Sequence, residues 1–419
     1  MDTELRNKRA QFALMVMFFT QGVAALSWMP RIPEFISNLQ VSNEVWGSII
    51  GFGGAGAIVP LLFTNKLVLR YGTTPIIKYS AIAIGFIIAA LPFTDQWWVF
   101  LALHFTMSFT FSTFNIALNS QAVAFQKRAG KVLLGSFHGA WSIGAATAAA
   151  ISAAIATYTP LGAHMLGLGI FCLALFLWAA ANMLTPEEDD HGQPREKGER
   201  VSWLKTPKYL WLLSFGAFAG MWPELVIMDW ASVYGKKVLD LDAGSAALPY
   251  TCFILAMIVG RFSIVKLTEK YQIARLSQIG GAFGSVALAL AIFSSATLAE
   301  SNQGLALFLL CLFFAIAGYG ISSMVPGFYS ATGDIKGLST AQALSRMALF
   351  NYTVIIFGKM FMGSLIDSTS LPIAMIFPIV MFAIASVISG FVASRNSKIR
   401  RTEALAYPPT SPITEIDVP

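Results

Sequence analysis

The run FNIALNSQAVAFQKRAGKVLLGSFHGAWSIG, residues Phe114 to Gly144, holds the end of one apolar helix, a short basic turn and the start of the next. Counted back along the first helix, His104, Ser108, Asn115, Asn119 and Gln126 recur at spacings that keep side chains near one face. A helix otherwise made of Phe, Leu, Met and Ala thus carries one polar stripe. In lipid such a stripe must face protein or water, because hydrocarbon offers no hydrogen-bond partner. Two readings fit it: helix-packing contacts of the Ser and Asn kind, or one wall of a water-filled cavity.

Composition sets the class. Of 419 residues 56% are apolar and 12% charged, with mean hydropathy +0.66, whereas soluble domains carry roughly 25% charged residues. The chain reads as an all-α polytopic membrane protein seated in a lipid bilayer. The net charge of +6 is spread over short turns and does not point to nucleic acid. Cys172, Cys252 and Cys311 fall in apolar runs, with no disulfide or metal spacing. The start, MDTELRNKRA, leads into a full-length span without a small-residue cleavage site and is expected to be retained in the cytoplasm.

A spanning helix needs about 20 mostly apolar residues. Twelve stretches qualify: 12–30, 45–64, 75–93, 97–125, 133–156, 161–184, 209–234, 245–265, 275–297, 304–330, 341–366 and 371–394. The basic residues follow that count. Arg6, Lys66, Arg70, Lys127, Arg195, Lys266, Arg395 and their neighbours share one side, and the turns on the other side hold only Arg31, Lys236 and Lys237. This positive-inside bias places both termini in the cytoplasm. The polar segment 185–208 reads as a cytoplasmic linker. It divides the chain into six-helix halves at 1–184 and 209–394, with a tail at 395–419.

The halves resemble each other. Lys66-Leu67-Val68-Leu69-Arg70-Tyr71 follows the second span and Lys266-Leu267-Thr268-Glu269-Lys270-Tyr271 the eighth, both as Lys-Leu-x-x-(Arg/Lys)-Tyr. The tenth span, counterpart of the fourth, also has a polar face, with Tyr319, Ser322, Ser323 and Ser330. Polar faces on equivalent helices favour the cavity reading, because parallel six-span repeats place a transported solute between the halves.

On these features the chain resembles the major facilitator superfamily, and within it the branch related to fucose permease, including bacterial inner-membrane members. The branch resemblance rests on Asn119-Ser120-Gln121, the SFHGAWSIG run from Ser136 to Gly144, Glu224 with Asp229-Trp230, Gly260-Arg261 and the run from Gly318 to Pro326. It implies two pseudo-symmetric six-helix bundles and a monomeric secondary transporter in a bacterial plasma membrane. That transporter would move a small polar, sugar-like solute by alternating access with proton coupling. It also implies gating contacts at Lys66, Arg70, Arg261 and Lys266. The chain departs from the pattern at Asn65, where the turn's acid aligns, and at Asn115 and Gln126, where the branch carries acids. Coupling is therefore expected from the second half.

Glu224 is the sharpest candidate there. It lies roughly 22 Å into the seventh span, past the middle of a core about 30 Å thick, where a carboxylate must be paired, protonated or in water. Glu224 and Asp229 are the expected proton-coupling residues, against a structural reading in which Glu224 pairs with Arg346, Lys359 or a backbone donor and Asp229 is an interfacial acid. Lys359 itself either snorkels or pairs with Asp229, Glu224 or Asp367. Gln21, Asn115, Asn119, His138, Trp141, Trp222 and Asn351 are the expected solute contacts, the tryptophans as stacking faces. No phosphate-binding loop, His-Glu-x-x-His or Gly-x-Ser-x-Gly occurs, so no enzyme, cofactor or metal is expected. Two rivals stand beside the importer: an exporter of amphipathic compounds with a Phe- and Met-rich pocket, and a transport-inactive membrane receptor.

Overall fold

The computed structural model describes residues 3–131, 133–189, 206–335, 338 and 340–406. Residues 190–205, most of the linker read above, and the tail from 407 lie outside them. All regular structure among the described residues is helical. In the first half the helices are α1 (Thr3–Leu26), α2 (Ile32–Leu39), α3 (Asn43–Ala55), α4 (Thr64–Tyr71), α5 (Thr73–Ala90), α6 (Trp97–Ala129), α7 (Leu134–Ile155) and α8 (Leu161–Asn182). In the second they are α9 (Lys208–Lys237), α10 (Ala243–Leu267), α11 (Ile273–Leu298), α12 (Gln303–Ile321), α13 (Met324–Ser330), α14 (Thr340–Ser368), α15 (Leu371–Ala374) and α16 (Ile376–Ala406).

Among the described residues 11 helical segments are long and apolar enough to cross a membrane. The twelfth expected span, α7, is 22 residues long but so rich in Ala, Gly and Ser that its apolarity falls short. Those small residues serve contact instead. A Cβ on Gly22 of α1 would sit 2.1 Å from the Trp141 carbonyl oxygen, and one on Gly144 of α7 2.0 Å from that of Phe19. Only glycine lets the two backbones cross this closely.

The tenth span, read as one helix, is two. Pro326 has no N–H to offer the Ser322 carbonyl one turn back, so α12 ends at Ile321 and α13 begins at Met324. Ser277 Oγ donates to the Ser323 carbonyl at 2.8 Å and holds the break in place. Likewise the first span continues through the Pro30 turn into α2, which begins before Pro33.

Packing repeats between the halves. α1 lies on α7, α3 on α6 and α5 on α8; correspondingly α9 lies on α14, α10 on α12 and α11 on α16. Across the middle, α3 meets α14 and α7 meets α10. The α3–α14 crossing is again a glycine contact, since a Cβ on Gly47 would lie 2.6 Å from the Lys359 carbonyl oxygen and one on Gly363 2.3 Å from that of Asn43.

The end remote from the chain's N-terminus is clasped shut across this seam. Asp367 accepts from the Glu44 backbone N–H at 2.7 Å and from the Asn43 side chain at 2.5 Å, and Lys237 Nζ donates to Asn43 Oδ1 at 2.9 Å. At the α7–α10 contact, Thr157 Oγ1 donates to Asp242 and accepts the Gly244 N–H at 3.0 Å. At the N-terminal end Arg6 and Arg128 hold Glu188 at 2.6 and 3.2 Å, all within the first half and the start of the linker.

Candidate functional site

Between α1, α3, α6 and α7 on one side and α9, α10, α13 and α14 on the other lies a cavity of about 990 Å³. It opens toward the N-terminal end. Gly135 in the first turn of α7 and Val265 in the last turn of α10 line it and are exposed, while Asn43, Thr157, Asp242 and Asp367 of the opposite clasp do not line it.

The first-half wall is neutral. Gln21, His104, Ser108, Ser112, Asn115, His138 and Trp141 face the cavity. Asn115 Oδ1 accepts from Gln21 Nε2 at 3.2 Å and from Asn119 Nδ2 at 3.0 Å. Asn119 also donates to the Asn115 carbonyl at 2.8 Å and does not line the cavity. The polar stripe of α6 therefore does face a cavity over His104, Ser108 and Asn115. Its last member does not: Gln126 Oε1 accepts the N–H groups of Leu133 and Leu134 at 2.9 and 3.2 Å, bridging the turn into α7. His104 is buried between Trp28 and Phe100. Gly53 makes room for it, since a Cβ there would lie 2.0 Å from His104 Nδ1. His138 packs edge-on to Phe18, ring centroids 5.3 Å apart.

The second-half wall is charged. Arg261 Nη2 lies 3.4 Å from Glu224 Oε1, and Lys359 Nζ 2.8 Å from Asp229 Oδ2. Both cations line the cavity with Asn351, Tyr329 and Tyr352, and both acids stand behind them. Glu224 is thus paired, with Arg261 rather than with Arg346 or Lys359, and Lys359 takes Asp229 among its three candidate partners.

The other expected residues lie elsewhere. Trp222 is fully buried, with Gly358 beneath its ring and Phe218 and Phe377 around it; it packs the second half and does not line the cavity. Lys66 and Arg70 on α4 and Lys266 at the end of α10 are exposed and do not line the cavity. Of the expected gating residues only Arg261 lines it.

One cluster was not anticipated. Arg31 has a fully buried side chain paired with Glu34. It also contacts His164 Nδ1 at 3.1 Å and donates to the Thr159 carbonyl at 2.8 Å. The i,i+3 spacing of Arg31 and Glu34 was the available signal.

Two carboxyls outside the membrane-spanning helices are shifted. The Ser245 and Thr157 hydroxyls and the N–H groups at the start of α10 pull Asp242 down to about 2. Burial pushes Glu188 up, but the Thr185 N–H and the Arg6 and Arg128 guanidinia outweigh it and hold this carboxyl below its ordinary range. Among the described residues no cluster of His, Cys, Asp or Glu is spaced to hold a metal ion.

The family model described as Major Facilitator Superfamily matches residues 12–337. An uncharacterised transporter of Sinorhizobium fredii is 25% identical over 84% of this chain and 90% of its own length. An uncharacterised transporter of the same superfamily type from Yersinia pestis is 22% identical over 87% and 91%. Among solved structures, a mutant of the nucleoside transporter NupG superposes with a TM-score of 0.71 at 14% identity, covering 92% of this chain and 99% of that one; at that identity it shows the fold alone. The family model covers more than half of the chain, and the repeated helix packing and the cavity between the repeats agree with it: the chain belongs to the major facilitator superfamily and is a multi-pass membrane transport protein, not an enzyme.

Proposed function

We propose that the protein moves a small polar, sugar-like solute across a bacterial plasma membrane by alternating access, with proton coupling. The observation that carries this reading is the cavity itself: walled by polar groups from both halves, open at one end and clasped at the other. In this reading 1–184 and 209–394 rock as two bodies about the α3–α14 and α7–α10 seams, and the protein works as a monomer. The basic turns support a cytoplasmic open end and cytoplasmic termini. The SFHGAWSIG run and the Asp229-Trp230 pair support the fucose-permease-related branch.

Gln21, Asn115, His138, Trp141 and Asn351 are the solute contacts. Asn119 acts through Asn115, whose side-chain oxygen it holds with one hydrogen bond. Proton coupling falls to Glu224 and Asp229, each held by a cation that a solute can reach. When Glu224 takes a proton, Arg261 loses its counter-charge and turns to the solute. When the proton leaves, the pair re-forms and the solute is released. The linkage is reciprocal, as binding equilibria require.

The test is reconstitution into liposomes with Glu224→Gln, which mimics the protonated carboxyl. The variant should keep exchange of solute between the two sides and lose accumulation driven by a pH gradient. Unchanged pH-driven accumulation would remove Glu224 from coupling.

A further inference from the structure

The cavity's charges are not evenly presented. Among the described residues its lining contains Arg261 and Lys359 but no Asp or Glu. Within each ion pair the cation is the more accessible partner: the Arg261 side chain is 39% exposed against 16% for Glu224, and that of Lys359 17% against 4% for Asp229. A solute entering from the open end meets ammonium and guanidinium groups, with the compensating carboxylates behind them. In a low-dielectric wall the nearer charge dominates the local potential.

Hydrogen bonding biases the cavity the same way. Asn115 Oδ1 already accepts from Gln21 and Asn119, so what Asn115 offers the cavity is its NH₂, a donor. The Arg261 contact to Glu224 is a single one at 3.4 Å, and its remaining contact is to the Met257 sulfur at 3.6 Å. Most of a five-donor fork is left for a ligand. A planar guanidinium matches a carboxylate with two parallel hydrogen bonds, a geometry no neutral hydroxyl reproduces.

We propose that the solute is an organic anion, a small polyhydroxy carboxylate, whose carboxylate is taken by Arg261 with Lys359 as a second cationic point deeper in the cavity. The proposal rests on the solute-cavity reading above and deepens it. The two pairs together are neutral, so one added negative charge suits them better than two. This favours a carboxylate over a phosphate monoester. The amide and aromatic groups of the first half, Asn115 and Trp141 foremost, then take the hydroxylated body of the solute.

The test is thermal unfolding of the purified full-length protein with matched neutral and acidic sugars at equal ionic strength: glucose against glucuronate, and galactose against galacturonate. Glucose 6-phosphate and tetraphenylphosphonium complete the panel. A ligand that binds the folded state raises its stability with concentration. The uronates should raise the unfolding temperature more than their neutral partners. The double variant Arg261→Gln with Glu224→Gln, which removes the pair without stranding a buried charge, should abolish the difference. Should that variant fail to fold, Arg261→Lys keeps the charge without the fork and should weaken uronate binding about tenfold. Asn115→Asp, which puts a negative charge on the wall, should abolish the uronate shift.

Equal shifts from neutral and acidic partners would overturn the anion proposal and leave the solute cavity standing. A shift from glucose 6-phosphate without one from either uronate would overturn the choice of carboxylate. A shift from tetraphenylphosphonium alone would overturn both readings in favour of a cation exporter, and no shift from any member would count against both.

Discussion

The two walls of the cavity come from halves that repeat each other's helix packing, yet they are chemically opposite. The first half offers two imidazoles and a set of amides bonded to one another, Gln21 and Asn119 both to Asn115. The second offers two ion pairs, Arg261–Glu224 and Lys359–Asp229. Amides hold a solute without responding to pH or potential. Buried ion pairs hold it at the cost of a charge that must be rebalanced. The repeated packing supplies the frame, and on the proposed reading divergence divides the work: the first half holds the solute's hydroxylated body, and the second takes its carboxylate and couples the proton.

The comparison breaks most readily at the deeper pair. Asp229→Asn or Lys359→Met alone strands a charge in a buried site and should cost about 3–5 kcal/mol, read as loss of monodisperse protein on size-exclusion chromatography. The two together should recover most of that loss. If the double variant is no better than the singles, the pair is not an electrostatic unit and the contrast between the walls weakens.

A smaller effect should sharpen it. Asn115→Ala removes the acceptor shared by Gln21 and Asn119 and should cost about 1–1.5 kcal/mol of solute binding, a rise of roughly tenfold in KM. The pH profile of transport should stay where it is in the wild type. A moved pH profile would place coupling in the first half as well.

Gln126→Ala tests whether every polar residue of α6 belongs to the wall. It loses two acceptor contacts to the turn before α7 and should lower stability by about 1 kcal/mol, measured as a lower unfolding temperature with unchanged solute affinity. A changed affinity would return Gln126 to the cavity.

The smallest effect is expected at Asp242, which caps α10 and binds Thr157 at the clasped end. Its carboxyl is held at about 2, against roughly 3.9 in an unfolded chain. The stability it contributes is therefore complete above about pH 4 and is lost as pH falls through about 2. The site is exposed, so Asp242→Asn should cost no more than about 1 kcal/mol. Wild-type and variant pH–transport profiles should overlay from pH 5 to 9. A divergence in that window would make the clasp, and not the charged wall, the source of pH dependence.

Much of this was legible in the sequence because lipid makes polarity conspicuous. His104, Ser108 and Asn115 stand out on an apolar helix and do face the cavity, and Glu224 was marked by the expense of a charge at its depth. Partner choice was not legible. Arg261 and Glu224 are on different helices, and only the α9–α10 crossing brings them within 3.4 Å. Trp222 shows the complementary limit, since a tryptophan near an acid in the membrane reads the same whether it stacks on solute or on Phe218 and Phe377. The break between α12 and α13 was hidden although Pro326 was in view, because a single proline in a long apolar run either kinks or ends a helix. Arg31 escaped notice as a loop residue: its burial depends on His164 and the Thr159 carbonyl, both far along the chain.

The division of work can be measured without knowing the solute. Spin labels at Gly135→Cys and Val265→Cys, both exposed and lining the cavity at its open end, would report the width of that opening once Cys172, Cys252 and Cys311 are replaced. The distance between them should change with pH in the otherwise unaltered protein and in Asn115→Ala, and become independent of pH in Glu224→Gln. A Glu224→Gln protein whose opening responds to pH as the parent does would contradict the account.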